Sequence, residues 1–213
     1  MVWMFSCFTL STWASTEQIS KPAVIFFGGF RSTPEQMALW KSLAQAHPTY
    51  GTKAEFYSAA YPSLKSDSYS AVHDGAALIQ GWIKSIDESP ARLFILVGHS
   101  SGAALATAVA EGVKNPQSIR LIILDADITL NNSKIIAHCW NAEDPKGRPK
   151  SYSSLAKRCN FSKTIKIGGC SNPTCLHFYL VNKAAPHLQM NEDNYKDTGY
   201  LSLEPNLDWL ETF

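Results

Sequence analysis

The sequence predicts an α/β fold: a mostly parallel sheet with helices on both faces, arranged as a three-layer sandwich. Short apolar runs recur along the chain and alternate with segments whose apolar residues have helical spacing. The length of 213 residues suits one domain, which we expect to span 22–213. Hydrophobic residues make up 45% of the chain and charged residues 17%, so the chain can form a sizeable core and is not expected to be disordered.

Six segments are predicted to be strands, each from a continuous apolar run. The first run ends at Gly28-Gly29 and is typical of a buried strand in a parallel sheet. The six segments are Ala23–Phe27, Ala54–Tyr61, Arg92–Val97, Ile119–Leu124, Lys134–Trp140 and Lys163–Ile167.

Helices are predicted between these strands. The first begins with Thr33 as its N-cap, Pro34 at the first helical position and Gln36 completing a capping box, and it stops near His47-Pro48. The other helical segments are Ser68–Ile86, Ala103–Val113, Ser151–Arg158 and Leu176–Ala185, with a last turn at Asn206–Thr212.

Charge and hydropathy exclude some functions. The formal net charge is +1 and the basic residues are scattered, so no nucleic-acid surface is indicated. No apolar run is long enough to span a bilayer. The oligomeric state has no signature in the sequence.

The N-terminus indicates export. Met1–Leu10 is apolar and is followed by small residues, a pattern typical of a signal peptide spanning 1–14 and cleaved after Ala14. A basic segment in front of the apolar run is missing, so an N-terminal arm is the alternative. With a signal peptide, the protein would be periplasmic or secreted.

The cysteines are consistent with export. Cys7 would leave with the signal peptide, and the four that remain would form two disulfides, for which we favour Cys170–Cys175 and Cys139–Cys159. The alternative is four buried free thiols in a cytosolic protein. A zinc site is not indicated, because the cysteines and histidines lack the required paired spacing.

The pattern G-x-S-x-G occurs between a predicted strand and a predicted helix. Gly98-His99-Ser100-Ser101-Gly102 lies between the clearest strand and a helix of small residues, as a nucleophile elbow requires. Such a turn exposes the serine oxygen above the sheet, and the helix N-terminus behind it favours negative charge. The alternative is a glycine-rich turn with an incidental serine.

The elbow and the order of elements resemble the α/β-hydrolase superfamily, in particular small esterases and lipases without a cap domain. The resemblance extends from Ala23 to about Ala185 and implies the chain order nucleophile, acid, histidine. Only Asp125–Ser133 separates the fourth and fifth strands, which is short for a helical crossover, so one family helix is expected to be a turn. No cap domain fits there, so an open site is expected.

The resemblance implies the partners of Ser100. The histidine should follow the last core strand, which gives His177, or His187 if Leu176–Val181 were that strand. The acid should follow the strand before, which gives Asp144. Other carboxylates nearby are Glu143, next to Asp144, and Asp125 and Asp127 after the earlier strand, from which some members of the superfamily draw their acid.

The resemblance also implies an oxyanion hole made by two backbone N–H groups. One is that of Ser101, and the other comes from the loop after the first strand, at Phe30 or Gly29. Many members carry His-Gly in this loop, whereas this chain has Gly28-Gly29-Phe30.

These residues predict a hydrolase of small carboxylic esters that works through an acyl-enzyme on Ser100, without a metal or cofactor. An acyl thioesterase would use the same residues. A binding protein on this fold with an inactive site is the alternative outside enzymes, since a fold does not imply activity.

Overall fold

Six parallel strands form one sheet in the computed structural model, which describes residues 20–65, 67–146, 159–195 and 204–212. The strand order is β2-β1-β3-β4-β5-β6. The strands are β1 (Ala23–Phe27), β2 (Glu55–Ala59), β3 (Phe94–His99), β4 (Ile119–Leu124), β5 (Ile136–Glu143) and β6 (Phe161–Lys166). All six predicted strands are therefore present, with ends shifted by up to three residues.

The middle of the sheet is its most buried part. Every residue of β1 and β3 is buried, as expected for strands with a helix layer on each side. Their register pairs Phe27 with Gly98, and the register of β3 on β4 pairs His99 with Leu124. The carboxyl ends of these three strands therefore meet at one edge of the sheet.

Helices cover both faces, which confirms the predicted three-layer architecture. One buried cluster joins α1 and α5 to side chains of one sheet face, and a second joins α2, α3 and α4 to the other face. The helices are α1 (Pro34–Gln45), α2 (Ser68–Asp74), α3 (Ala76–Asp87), α4 (Gly102–Gly112) and α5 (Pro173–Tyr179), with short 3₁₀ helices at Pro116–Ser118 and Asp208–Thr212. The capping box predicted at Thr33 is present, with both of its hydrogen bonds.

Two predicted helices differ from the observed ones. The predicted helix Ser68–Ile86 is divided at Gly75, where a Cβ atom would lie 2.7 Å from Leu105 Cδ2, so α4 approaches too closely for a side chain. The helix predicted at Leu176–Ala185 begins earlier, because Asn172 accepts the Cys175 N–H as N-cap at 2.9 Å. The helix predicted at Ser151–Arg158 lies outside the described residues, as does the predicted signal peptide.

The connection from β4 to β5 contains no helix between Asp125 and Ile135, as predicted. The two favoured disulfides, Cys139–Cys159 and Cys170–Cys175, are both present, with Cα–Cα distances of 6.0 and 5.4 Å. Among the helices of the described ranges, none has the length and apolar character needed to cross a membrane.

Candidate active site

Ser100 lies in a strained turn between β3 and α4. Its φ of 55° is in the left-handed region, which residues other than glycine seldom adopt. A Cβ atom at Gly98 would overlap the backbone of Ala103, and one at Gly102 would overlap the carbonyl oxygens of Phe27 and Gly28. The two glycines therefore let strand and helix meet at the sharp angle that presents the serine.

The backbone of Ser100 is fixed to the neighbouring strand. Its N–H donates to the carbonyl of Leu124 at 3.0 Å, and its own carbonyl accepts the N–H of Ala103 at 3.0 Å. His99 on β3 pairs with Leu124 on β4. Ser100 directly follows the first of these residues and Asp125 the second, so they occupy equivalent positions on adjacent strands. The sheet alone therefore places Asp125 beside the serine turn.

Asp125 and His177 form a buried pair at this edge. His177 Nδ1 is hydrogen-bonded to Asp125 Oδ2, and the two residues are 6% and 3% exposed. Because an ionised carboxylate only accepts, a hydrogen bond to ionised Asp125 requires the proton on Nδ1, and a neutral imidazole then has no proton on Nε2. This is the tautomer that a general base needs.

The Asp125 turn is held as firmly as the Ser100 turn. Asp125 also has a positive φ, 48°, and its N–H donates to the carbonyl of Trp140 on β5 at 2.9 Å. The chain thus turns sharply as soon as β4 ends, which aims the carboxylate at α5 rather than along the sheet.

α5 brings His177 to this carboxylate. The helix starts at Pro173 after the Asn172 N-cap, and the Asn172 side chain also donates to the carbonyl of Met190 at 2.9 Å. The Cys170–Cys175 disulfide joins the loop before α5 to the helix itself, two residues before His177. Cap, disulfide and tertiary hydrogen bond together fix the position of the histidine.

The loop after β1 lies against the start of α4. Gly28 donates its N–H to Ala59 at 2.9 Å, and Gly102 abuts the carbonyls of Phe27 and Gly28. Phe30 follows in this loop, and its ring packs edge-on against Tyr61 at 6.3 Å between centroids. Ser101 is the N-cap of α4 and has helical φ and ψ. The two expected oxyanion donors, Ser101 and Phe30, thus belong to segments that are in contact with each other.

The expected acid, Asp144, is not the carboxylate that the structure brings to His177, because Asp125 holds that position. Both aspartates follow a strand, and the sequence does not show which strand end faces α5. The register of β3 on β4 pairs His99 with Leu124 and so places Asp125 opposite Ser100. The ends of the apolar runs, Val97 and Leu124, do not reveal this register. Glu143 is the last residue of β5.

The two alternative site residues lie elsewhere. Asp127 lines a groove of about 470 Å³ along α4, together with Ala104 and Thr107, and does not hold the His177 hydrogen bond described above. His187 is exposed in the turns after α5, and Leu176–Val181 forms no strand. Of the two histidines, only His177 is brought to the carboxyl edge by a described hydrogen bond.

His99 is the residue of the elbow that directly precedes Ser100. It is fully buried, and burial, followed by the charge of His177, holds the pKa of its imidazole well below the usual value. Among the described residues, no group of three His, Cys, Asp or Glu side chains is placed to hold a metal ion.

The fold is of the α/β-hydrolase type. The parallel sheet, the serine turn after its third strand and the helix that follows carry this assignment.

No protein-family model matches the chain, and no curated protein matches it in sequence. Solved structures similar to it include an iodinated complex of acetyl xylan esterase, with a TM-score of 0.38, 13% identity and coverage of 91% of this chain and 98% of that chain. A second acetylxylan esterase structure has a TM-score of 0.34 and 14% identity, covering 85% and 97% of the two chains. A cutinase-like protein from Cryptococcus sp. has a TM-score of 0.35 and 15% identity, covering 84% and 91%.

Proposed function

We propose that the protein hydrolyses small carboxylic esters through an acyl-enzyme on Ser100, with His177 as the general base and Asp125 as its acid. One observation carries the proposal: a buried carboxylate–imidazole pair stands at the same sheet edge as a serine held at a positive φ. A structural ion pair would not require the adjacent serine turn to be strained.

In the first half-reaction the Ser100 oxygen attacks the ester carbonyl while His177 Nε2 takes the hydroxyl proton. The tetrahedral intermediate then expels the alcohol, which receives that proton from His177. In the second half-reaction water attacks the acyl carbon while His177 takes one of its protons. The tetrahedral intermediate then releases the acid, and His177 returns the proton to the Ser100 oxygen. Asp125 stays ionised throughout and stabilises the imidazolium.

The negative charge of each tetrahedral intermediate needs donors that are already oriented. Ser101 N–H at the start of α4 is one proposed donor, and the helix dipole reinforces it. The second is the N–H of Phe30, with Gly29 as the alternative, from the loop that packs against Gly102. Backbone donors of this kind do not require the His-Gly of other superfamily members.

The first experiment is labelling with a fluorophosphonate, combined with a panel of nitrophenyl esters and acyl-thioesters. We expect the wild-type protein to label on Ser100 and to hydrolyse the esters. Ser100→Ala and His177→Ala should each lose about 10³-fold or more of this activity, because the two residues act as a unit. His187→Ala, at an exposed position, is the matched control and should stay near wild type.

The panel separates the alternatives. Faster turnover of thioesters would identify an acyl thioesterase with the same residues. A wild-type protein that neither labels nor hydrolyses any member of the panel would refute the proposed function and favour a binding role on this fold.

We also propose that the protein works outside the cytosol. The two disulfides support this, because disulfides persist in the periplasm and outside the cell and are rare in the cytosol. A signal peptide over 1–14 remains a prediction, and sequencing the N-terminus of protein purified from its native compartment tests it.

A further inference from the structure

His99 adjoins both the proposed nucleophile and the proposed base. It is the last residue of β3, is 0% exposed and directly precedes Ser100. Its Nε2 is 3.1 Å from the backbone oxygen of His177, and the two imidazole centroids are 4.2 Å apart. The reaction proposed above gives this residue no task.

The hydrogen bond defines the state of the His99 ring. A carbonyl oxygen only accepts, so His99 Nε2 must carry the proton and donate it. Burial, and then the charge of His177, keep the pKa of His99 well below its usual value, so the ring stays neutral at neutral pH. The positive charge formed during ester cleavage therefore remains on His177, where Asp125 stabilises it.

We propose that His99 is a positioning residue for the general base: its Nε2–H and its ring hold His177 at a fixed place relative to Ser100. The inference rests on the proposed function for its catalytic meaning. Asp125 holds the imidazole at Nδ1, and His99 holds the same residue at its backbone carbonyl. One peptide bond joins His99 to the nucleophile. The positions of the serine and of the base are therefore both fixed by the end of β3.

Ring packing and hydrogen bonding can be separated at this position. Phe178 packs against the rings of both histidines, at 5.5 Å from His99 and 5.2 Å from His177. His99→Phe would keep an aromatic ring in this cluster and remove both ring nitrogens, including the Nε2–H donor to the His177 carbonyl. His99→Gln would replace the ring and restore an N–H donor at a similar distance from the backbone.

The test compares the wild type with these two variants in fluorophosphonate labelling of Ser100. In His99→Phe we expect the labelling rate constant to fall about 10- to 100-fold, because a small misplacement of the base costs that much. The plateau should stay at one label per chain, and the KM for a nitrophenyl ester should not change, because His99 has no exposed surface to contact substrate. His99→Gln should recover most of the rate.

A second readout does not depend on activity. The Nδ1 proton that His177 shares with Asp125 should give a downfield proton NMR signal in the wild type and in His99→Gln. In His99→Phe this signal should broaden or disappear, because the histidine is no longer held at its backbone.

Each outcome decides the inference. An unchanged rate constant and an unchanged signal in His99→Phe would overturn it, as would a lower plateau at an unchanged rate constant, which shows a role in folding alone. If the wild type does not label, the proposed function fails and the NMR signal alone tests the positioning. Loss of the signal in His99→Phe with retention in His99→Gln supports it. Equal signals in the wild type and both variants overturn it.

Discussion

At the residue scale, the site depends on two positions where a non-glycine residue has a positive φ as soon as a strand ends. Ser100 and Asp125 both have this backbone, and they occupy equivalent places on adjacent strands. Each turn is tied to the next strand by one hydrogen bond, from Ser100 to Leu124 and from Asp125 to Trp140. These hydrogen bonds to the sheet therefore hold both residues in their strained backbone conformation, and the two side chains project from it in fixed directions.

Replacing the acid should distinguish the two aspartates. Asp125→Asn preserves size but favours the wrong tautomer of His177, so kcat should fall by about 10³- to 10⁴-fold. Asp144→Asn removes the carboxylate that the sequence favours and should leave kcat within about threefold of wild type. Steady-state kinetics on one nitrophenyl ester measures both values of kcat. A larger loss in the Asp144 variant would identify Asp144, after β5, as the acid.

The strained turn at Ser100 could be predicted from the sequence because a local pattern, Gly98 to Gly102, specifies it. The placement of His177 at the carboxyl edge could be predicted because it follows the last strand. The sequence favours Asp144 and offers Asp125 only as an alternative, because which strand end meets α5 depends on tertiary packing that no local pattern encodes. The contact of His99 with His177 could not be predicted, because this hydrogen bond joins residues that are 78 positions apart in the sequence.

Acid should destabilise the wild type more steeply than a His99→Phe variant. The pKa of His99 is lowered in the folded state, so below about pH 6.5 the unfolded chain binds a proton that the folded chain does not. This group therefore stabilises the fold above that pH, and the contribution is lost at up to about 1.4 kcal/mol per pH unit as the pH falls further. His99→Phe lacks this loss.

Urea unfolding at pH 7, 6 and 5 measures the effect as the slope of the unfolding free energy against pH. His187→Phe, at an exposed position, is the control and should keep the wild-type slope. Equal slopes for the wild type and His99→Phe would show that burial of His99 does not keep it neutral.

At the element scale, the start of α4 joins the nucleophile turn to the loop after β1. Gly102 is in contact with the carbonyls of Phe27 and Gly28, and no side chain fits between them. The sequence shows this glycine as part of a motif, but the structure shows that its second task is to bring the Phe30 loop against the helix. The same reasoning explains Gly75, which divides a predicted long helix because α4 packs there.

Gly102→Ala should lower both stability and activity. The added methyl group meets backbone atoms that cannot move independently, so we expect a loss of about 1–3 kcal/mol and a displaced loop after β1. Because Phe30 belongs to that loop, kcat should fall more than the stability loss alone explains. Thermal unfolding and ester hydrolysis measure the two effects.

Gly81→Ala is the matched control, in the exposed middle of α3. A Cβ atom there meets nothing within 4 Å, so helix propensity should raise stability by about 0.5–1 kcal/mol without a change in kcat. If Gly102→Ala were as active as Gly81→Ala, the loop after β1 would not supply an oxyanion donor.

At the scale of the whole molecule, the two disulfides constrain different parts of the second half of the chain. Cys139–Cys159 links β5 to the residues just before β6 over a separation of 20, and Cys170–Cys175 closes a separation of 5 in front of His177. In the chain-entropy model the longer loop contributes about 3 kcal/mol and the shorter about 2 kcal/mol. We therefore expect the first to act mainly on the stability of the fold and the second mainly on the order of the segment that carries His177.

Paired serine variants should separate these effects. Cys139→Ser with Cys159→Ser should lower the Tm more and leave kcat of the folded protein nearly unchanged. Cys170→Ser with Cys175→Ser should lower the Tm less but reduce kcat, because α5 then carries His177 with less constraint. Thermal melts and kinetics at a temperature where both variants are folded measure this, and a kcat loss confined to the first pair would contradict the assignment.

The redox state of the four bridge cysteines tests both the proposed export and the effect of the short bridge on activity. If the chain matures outside the cytosol, all four bridge cysteines are oxidised, and mild reductant should lower activity before it unfolds the protein, since the short bridge orders the loop before α5. Thiol titration of the mature protein, unfolded without reductant, should then find no free cysteine. Four free thiols in protein recovered from its native compartment would contradict both bridges and the export proposed from them. A single free pair at Cys170 and Cys175 would instead show that only the longer bridge forms, and would leave His177 to be held by the Asn172 cap, Asp125 and His99.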